Sequence, residues 1–188
     1  MSSTIWTPIA VASEAAQAQF DLWRAVEAQH AVSTTVLVDS LDEQVLLEQL
    51  LETSKPPLPR GALGMHWLLF TPFRYPPLPA GSRFRGAADP GVFYGADEVR
   101  TACAELGYWR WRFLMESPAL AALDPRQQTV FQVAVATLAV DLRKAPFNRR
   151  KKTWTDPRRY DATQAFARVA REAGVWAIRY QSTRDLKR

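Results

Sequence analysis

With 188 residues, 47% of them apolar, the chain is long enough to bury a core as one domain without metals or disulfides. Its single cysteine, Cys103, excludes a disulfide framework and a cysteine zinc set. No basic start leads into an apolar stretch of signal-peptide length, and no apolar run of about 18 residues occurs. A cytoplasmic protein with no membrane association is therefore expected.

The net charge of +5 hides an asymmetry. Residues 1–60 hold three basic and eight acidic side chains, net −5, whereas residues 61–188 hold 21 and 11, net +10. Two regions are expected: an acidic helical N-terminal extension over 1–60 and a basic main domain over 61–188. A polyanion, a phosphate-bearing small molecule or an acidic protein would each be drawn to the second.

Over residues 13–31, Ala16, Phe20, Trp23, Val26 and His30 recur at spacings of three and four, which predicts an amphipathic helix. His30 then reads as a boundary or core histidine rather than a ligand. After a short β-favouring stretch, Thr34 to Val38, Ser40 and Glu43 form a capping box for a second helix to about Glu52. Three prolines between Lys55 and Arg60 end it. These helices suit a lid, a dimer surface or a partner surface equally.

Trp67 to Phe70 is apolar enough for a buried strand, although periodicity does not separate this from a helix segment. Pro72, Pro76 and Pro77 frame Arg74 and pre-position its guanidinium, either for a ligand or for a structural ion pair. Gly81 and Gly86 permit tight turning, Asp89-Pro90-Gly91 is a turn, and Val92 to Tyr94 reads as a short strand. Asp97 or a neighbour caps the next helix, whose buried stripe is expected to be Val99, Cys103, Leu106, Trp109 and Phe113. Thr101, Glu105, Tyr108 and Arg112 line another face. Gly107, which costs about 1 kcal/mol against alanine inside a helix, is expected to admit a close neighbour beside Glu105.

After a connection over 118–128, Thr129 to Leu142 predicts a strand from its Val and Thr content. Residues 143–159 hold eight basic side chains and one acidic one, which reads as a solvated loop or one that contacts an anion or partner. Asp161 is expected to cap a helix carrying Ala162, Ala165, Phe166, Val169, Ala170 and Ala173, ended by Gly174. Val175 to Ser182 predicts a strand with Trp176, Ile178, Tyr180 and Ser182 on one side, an apolar face ending in a hydroxyl.

Several chemistries have no residues to support them: there is no GxGxxG after a strand, no GxxxxGK[ST], no HExxH and no GxSxG. Two histidines are too few for a histidine-rich metal site, so no metal is expected. Arginine, tyrosine, glutamate and serine remain, and they suit cleavage of a glycosidic bond to a cationic leaving group such as nicotinamide. That reaction needs a carboxylate near the developing oxocarbenium ion, arginine forks on the pyrophosphate and an aromatic wall for the ring. Glu105, Arg74 and Arg83, and Tyr94 or Tyr75 can fill these roles.

The order TPFRY (71–75), GSRFR (81–85), PGVFYGA (90–96), AELGYW (104–109), YDATQ (160–164) and GVWAIRYQSTR (174–184) resembles the RES family, the toxins of RES–Xre toxin–antitoxin pairs. The resemblance implies an ADP-ribosyltransferase-like α/β fold, with small antiparallel sheets around an NAD cleft and helices at the N-terminus. It implies consumption of NAD as substrate by hydrolysis or phosphorolysis, or transfer of ADP-ribose to a protein. It also implies a hetero-oligomer with an Xre/DUF2384-type antitoxin, through which alone DNA would be contacted. The implied catalytic set is Glu105, Arg83 and Tyr94, with Arg74, Tyr75, Arg85 and Ser182 binding NAD. Two rival readings remain: a nucleic-acid-binding module using residues 143–159, and a scaffold that mainly binds a regulatory partner.

Overall fold

The computed structural model describes residues 6–28, 37–77, 79 and 81–185. Along the chain run α1 (Pro8–Ala12), β1 (Ala16–Glu27), α2 (Leu41–Ser54), α3 (Trp67–Arg74), α4 (Val99–Met115) and β2 (Gln128–Asp141). A 3-10 turn (Phe147–Arg150), α5 (Lys151–Trp154), α6 (Asp161–Glu172) and β3 (Ala177–Arg179) follow. The α/β class expected from the sequence holds, but the sheet is mixed: β1 is antiparallel to the central β2, and β3 is parallel to it.

The helix expected over 13–31 is not formed, because residues 16–27 pair along their whole length with β2, from Ala16 opposite Ala139 to Glu27 opposite Gln128. On β1, alternation is clear only in the first half; residues 22–26 are half-buried on both faces, which blurs a period of two into apparent helical spacing. On its far side Trp23 exchanges two backbone hydrogen bonds with Ala96, at 2.7 and 2.8 Å. The first sixty residues are thus not a purely helical extension but supply a strand and the fully buried Val11. His30 and residues 34–36 lie outside the described residues.

Ser40 caps α2 as expected, its Oγ accepting from the Glu43 N–H at 3.2 Å, while Glu43 Oε2 accepts from the Asp39 N–H at 2.9 Å. Trp67 to Phe70 is helical rather than a strand. His66 starts α3, its Nδ1 accepting from the Leu68 N–H at 3.3 Å.

The core gathers Phe84, Leu142, Phe147, Trp154, Phe166 and Val175 between α6, the sheet and the 3-10 turn. Burying each such side chain contributes roughly 1.5–3 kcal/mol. Residues 143–159 are therefore not a loop: Phe147 and Trp154 anchor them, and the Trp154 indole donates to the Phe147 carbonyl at 2.7 Å. With both aromatic rings buried, this basic segment offers neither as a stacking platform for bases.

Three local expectations are corrected. Tyr160, not Asp161, occupies the cap position of α6, and at α4 that position is taken by Glu98, the neighbour of Asp97; neither makes a side-chain cap bond. Asp97 instead pairs with Arg143 and Arg179, at 3.3 and 3.0 Å. The strand expected over Val175 to Ser182 is confined to Ala177–Arg179, the residues that pair with β2, and Trp176, expected on its apolar face, is 85% exposed. No strand forms over Val92 to Tyr94; the backbone of this segment meets β1 in the isolated bridge between Ala96 and Trp23.

Helix α4 is rotated about its axis relative to its expected orientation, so that Leu106 and Trp109 share the cleft lining with Thr101, Ala102 and Glu105. Thr101 and Ala102 are buried, while Val99, Cys103, Trp109 and Phe113 of the expected buried stripe are exposed. The face with Thr101, Glu105 and Tyr108 is the inner one. A polar inner face is stable here because it borders a cleft rather than a dry core. Gly107 has open space around it, so it admits no close neighbour.

Candidate active site

A cleft of about 1380 Å³ opens between β1, the segment 90–97, the inner face of α4 and the chain following β3. Four of the seven expected site residues line it together: Arg83, Tyr94, Glu105 and Ser182. The other three, Arg74, Tyr75 and Arg85, are not among its lining residues. Arg74 ties α2 to α3, with Nη2 on Glu52 Oε1 at 2.8 Å and Nε on the Pro56 carbonyl at 2.7 Å, the structural ion pair of its two readings. Arg85 donates to the carbonyls of Asp89 and Tyr75 at 3.3 and 3.0 Å, bracing the turn before residue 90 against the end of α3.

At the heart of the cleft the Ser182 hydroxyl donates to Glu105 Oε1 at 2.6 Å. Ser182 Oγ in turn accepts the backbone N–H groups of Arg184 and Asp185 at 3.2 and 3.3 Å. Among the described residues Glu105 Oε2 accepts no hydrogen bond, so one carboxylate oxygen is held and the other is available to a ligand.

Arg83 is 8% exposed. Its Nη1 donates to the carbonyls of Trp154 and Asp156, both at 2.9 Å, and its Nη2 donates to Thr183 Oγ1 at 2.9 Å. The guanidinium lies 5.0 Å from the Tyr160 ring centroid. Among the described residues no carboxylate is within ion-pair distance, so neutral dipoles orient a buried cation and leave its charge uncancelled. Such a group is poised for an anion.

Tyr94 uses its hydroxyl structurally, sharing a hydrogen bond of 2.8 Å with Ser82 Oγ and accepting the Phe84 N–H at 3.0 Å. Burial pushes its phenol above the ordinary value, outweighing these bonds and the pull of Arg83 and Arg171, so it stays protonated. The chain can bring Tyr94 here because Gly95 lies against Leu22 of β1, where a Cβ would stand 2.9 Å from the leucine Cβ.

Several cleft residues were not singled out from the sequence. Tyr180 packs edge-on to Phe84, with ring centroids 4.8 Å apart; burial first, then the charge of Glu105, drives its phenol far above the ordinary range. The same phenol feels Tyr94, Arg83 and Tyr160, which places all five groups in one electrostatic neighbourhood. Its shared parity with Ser182 was a usable signal. Arg24 of β1 donates to the Tyr94 carbonyl at 2.8 Å and lies 4.7 Å from the Phe93 centroid, and burial lowers its pKa. As a strand residue it sits on the same parity as Phe20 and Leu22, a sign hidden by the helical reading. In all, the lining holds Arg24, Arg83, Arg143, Lys151, Arg171, Arg179 and Arg184 against Glu27, Asp97 and Glu105. The excess of cations favours an anionic substrate.

Among the described residues no helix is long and apolar enough to cross a membrane, and no group of three or more His, Cys, Asp or Glu side chains could hold a metal ion. No curated protein matches the chain. The family model of the RES domain matches residues 58–188. At family level this carries an NAD-related, toxin-like function and NAD-utilising enzymatic activity, and it is consistent with an ADP-ribosyltransferase-like fold. Because the match covers more than half of the chain and encloses Arg83, Tyr94, Glu105 and Ser182, the chain belongs to the RES domain family.

Proposed function

We propose that this protein consumes NAD by cleaving the bond between nicotinamide and ribose, as the toxin of a type II toxin–antitoxin pair. The observation that carries the reading is one cleft containing both a buried arginine that has, among the described residues, no carboxylate at ion-pair distance and a glutamate with one oxygen held by Ser182. Arg83 binds the pyrophosphate; Tyr94 and Tyr180 wall the nicotinamide ribose. As the C1′–N1 bond breaks, its electron pair leaves on nicotinamide, which departs neutral, and positive charge spreads over C1′ and the ring oxygen. Glu105 Oε2 faces that charge and stabilises it more in the transition state than in the ground state. Water or phosphate then adds at C1′, giving ADP-ribose or its phosphate ester. An Xre/DUF2384-type antitoxin holds the activity in check and provides the only link to DNA.

Transfer to a protein side chain passes through the same cation and is the second reading, favoured by the size of the cleft, which exceeds the roughly 300–1,000 Å³ of most small-ligand sites. Incubation of the purified protein with adenine-labelled NAD, with and without phosphate and cell extract, separates the outcomes by where the label appears. Glu105→Gln should lose nicotinamide release by about 10²-fold or more while remaining folded. Release within threefold of the parent by that folded variant would remove Glu105 from the mechanism.

A further inference from the structure

The turn that carries Ser182 is fastened to α4 at a second point, one helical turn before Glu105. Asp185 is buried, its side chain wholly covered. Its Oδ2 accepts from Thr101 Oγ1 at 2.8 Å, and its Oδ1 pairs with Arg100 Nη2. Thr101 and Glu105 are four residues apart on α4 and project from the same face. Ser182 and Asp185, three apart on the turn, meet them: Asp185 on Thr101, Ser182 on Glu105.

A hydroxyl has two lone pairs and one proton. On Ser182 the lone pairs are occupied by the N–H groups of Arg184 and Asp185, so the proton is directed to Glu105. A buried carboxylate is costly unless it is paired, and slipping the turn by one residue would strand Asp185 away from Thr101 and Arg100. Docking of Asp185 therefore selects one register between turn and helix.

Resting on the reading of Glu105 as the carboxylate that faces the ribose, we propose that Asp185 and Thr101 are positioning residues, which lock the Ser182 turn in register with α4 so that Glu105 keeps Oε1 bound and Oε2 toward the substrate. Asp185 itself is not among the residues lining the cleft and acts through Ser182.

The test uses the full chain with Thr101→Val, which removes the hydroxyl at nearly constant shape, Thr101→Ser, Ser182→Ala, and the double variant T101V/S182A. For Thr101→Val, kcat for NAD should fall about tenfold with KM within twofold, and Thr101→Ser should restore it. In the Ser182→Ala background the same change should cost nothing further, because the group through which it acts is gone. Amide hydrogen exchange at Arg184 and Asp185 should quicken about tenfold in Thr101→Val. An undiminished tenfold loss in the Ser182→Ala background would mark a general structural role and overturn the proposal. If the parent protein consumes no NAD, the functional reading fails on its own. The exchange measurement then decides the register lock, which unchanged exchange in Thr101→Val would refute.

Discussion

Replacing Arg83 by glutamine removes a positive charge from the cleft while keeping a planar group. The guanidinium makes three hydrogen bonds of 2.9 Å, and an amide of glutamine's reach can retain about one of them. Two lost bonds at about 1 kcal/mol each would destabilise the fold by about 2 kcal/mol. Against this, the buried cation has no carboxylate at ion-pair distance among the described residues, so its removal relieves a desolvation cost and the net loss should be smaller. At roughly 2–4 °C per kcal/mol for a chain of this size, Tm should drop by less than about 8 °C. Substrate binding has no such offset: a charge-assisted contact to the pyrophosphate is worth roughly 1.5–3 kcal/mol, so kcat/KM for NAD should fall by about 10- to 150-fold. The loss should shrink as salt is added, because screening weakens the charge that only the parent retains. Nicotinamide release at 25 °C across an ionic-strength series, beside thermal melts, provides both numbers. A folded Arg83→Gln protein with parental kcat/KM would refute the assignment of Arg83 to the phosphates.

Tyr94→Phe keeps the ring and deletes two hydrogen bonds, so it should cost about 2 kcal/mol and 4–8 °C in Tm with NAD turnover within threefold. The opposite result, an unchanged Tm with turnover lost, would put the hydroxyl in the chemistry. For Asp141, burial alone would raise the carboxyl, but hydrogen bonds from the Arg143 side chain and N–H outweigh it and hold the pKa below the usual range. A lowered folded pKa means that this contribution is complete above about pH 4 and is lost as pH falls through the folded value. Melts of Asp141→Asn and the parent should thus differ at pH 6 and converge toward pH 2.5; a constant gap across that range would contradict the linkage. Arg74→Met removes a pair with the exposed Glu52 side chain and a bond to the Pro56 carbonyl, so it should lower Tm but leave NAD turnover within twofold. A tenfold loss of turnover would return Arg74 to the substrate.

How far the site could be read depended on whether a residue's role is local. The glycines and prolines between residues 81 and 91, the Ser40–Glu43 cap and the helix after Tyr160 are short-range features, and the last two were placed within a few residues. β1 was misread because its inner side chains are judged by a partner more than a hundred residues away, and Ala, Gln and Glu in that stretch do not oppose a helix. The face of α4 was misassigned for a related reason. Hydrophobic spacing identifies the buried side only where burial means contact with a dry core, whereas the inner face at Glu105 borders an open cleft. The same rule gave Arg74 two readings that no local pattern could separate, and Glu52, supplied by another helix, decided between them.

From the sequence alone came the kinds of groups available, arginine, tyrosine, glutamate and serine without a histidine-rich or cysteine site, and the order in which they occur. Tertiary structure decided which of them share a cavity, because convergence depends on long-range pairing. β1 on β2 and the Ser182–Asp185 turn on α4 bring Arg83, Tyr94, Glu105 and Ser182 to one cleft. Arg74, Tyr75 and Arg85 are left outside its lining, since their hydrogen bonds join α3 to its neighbours in the chain.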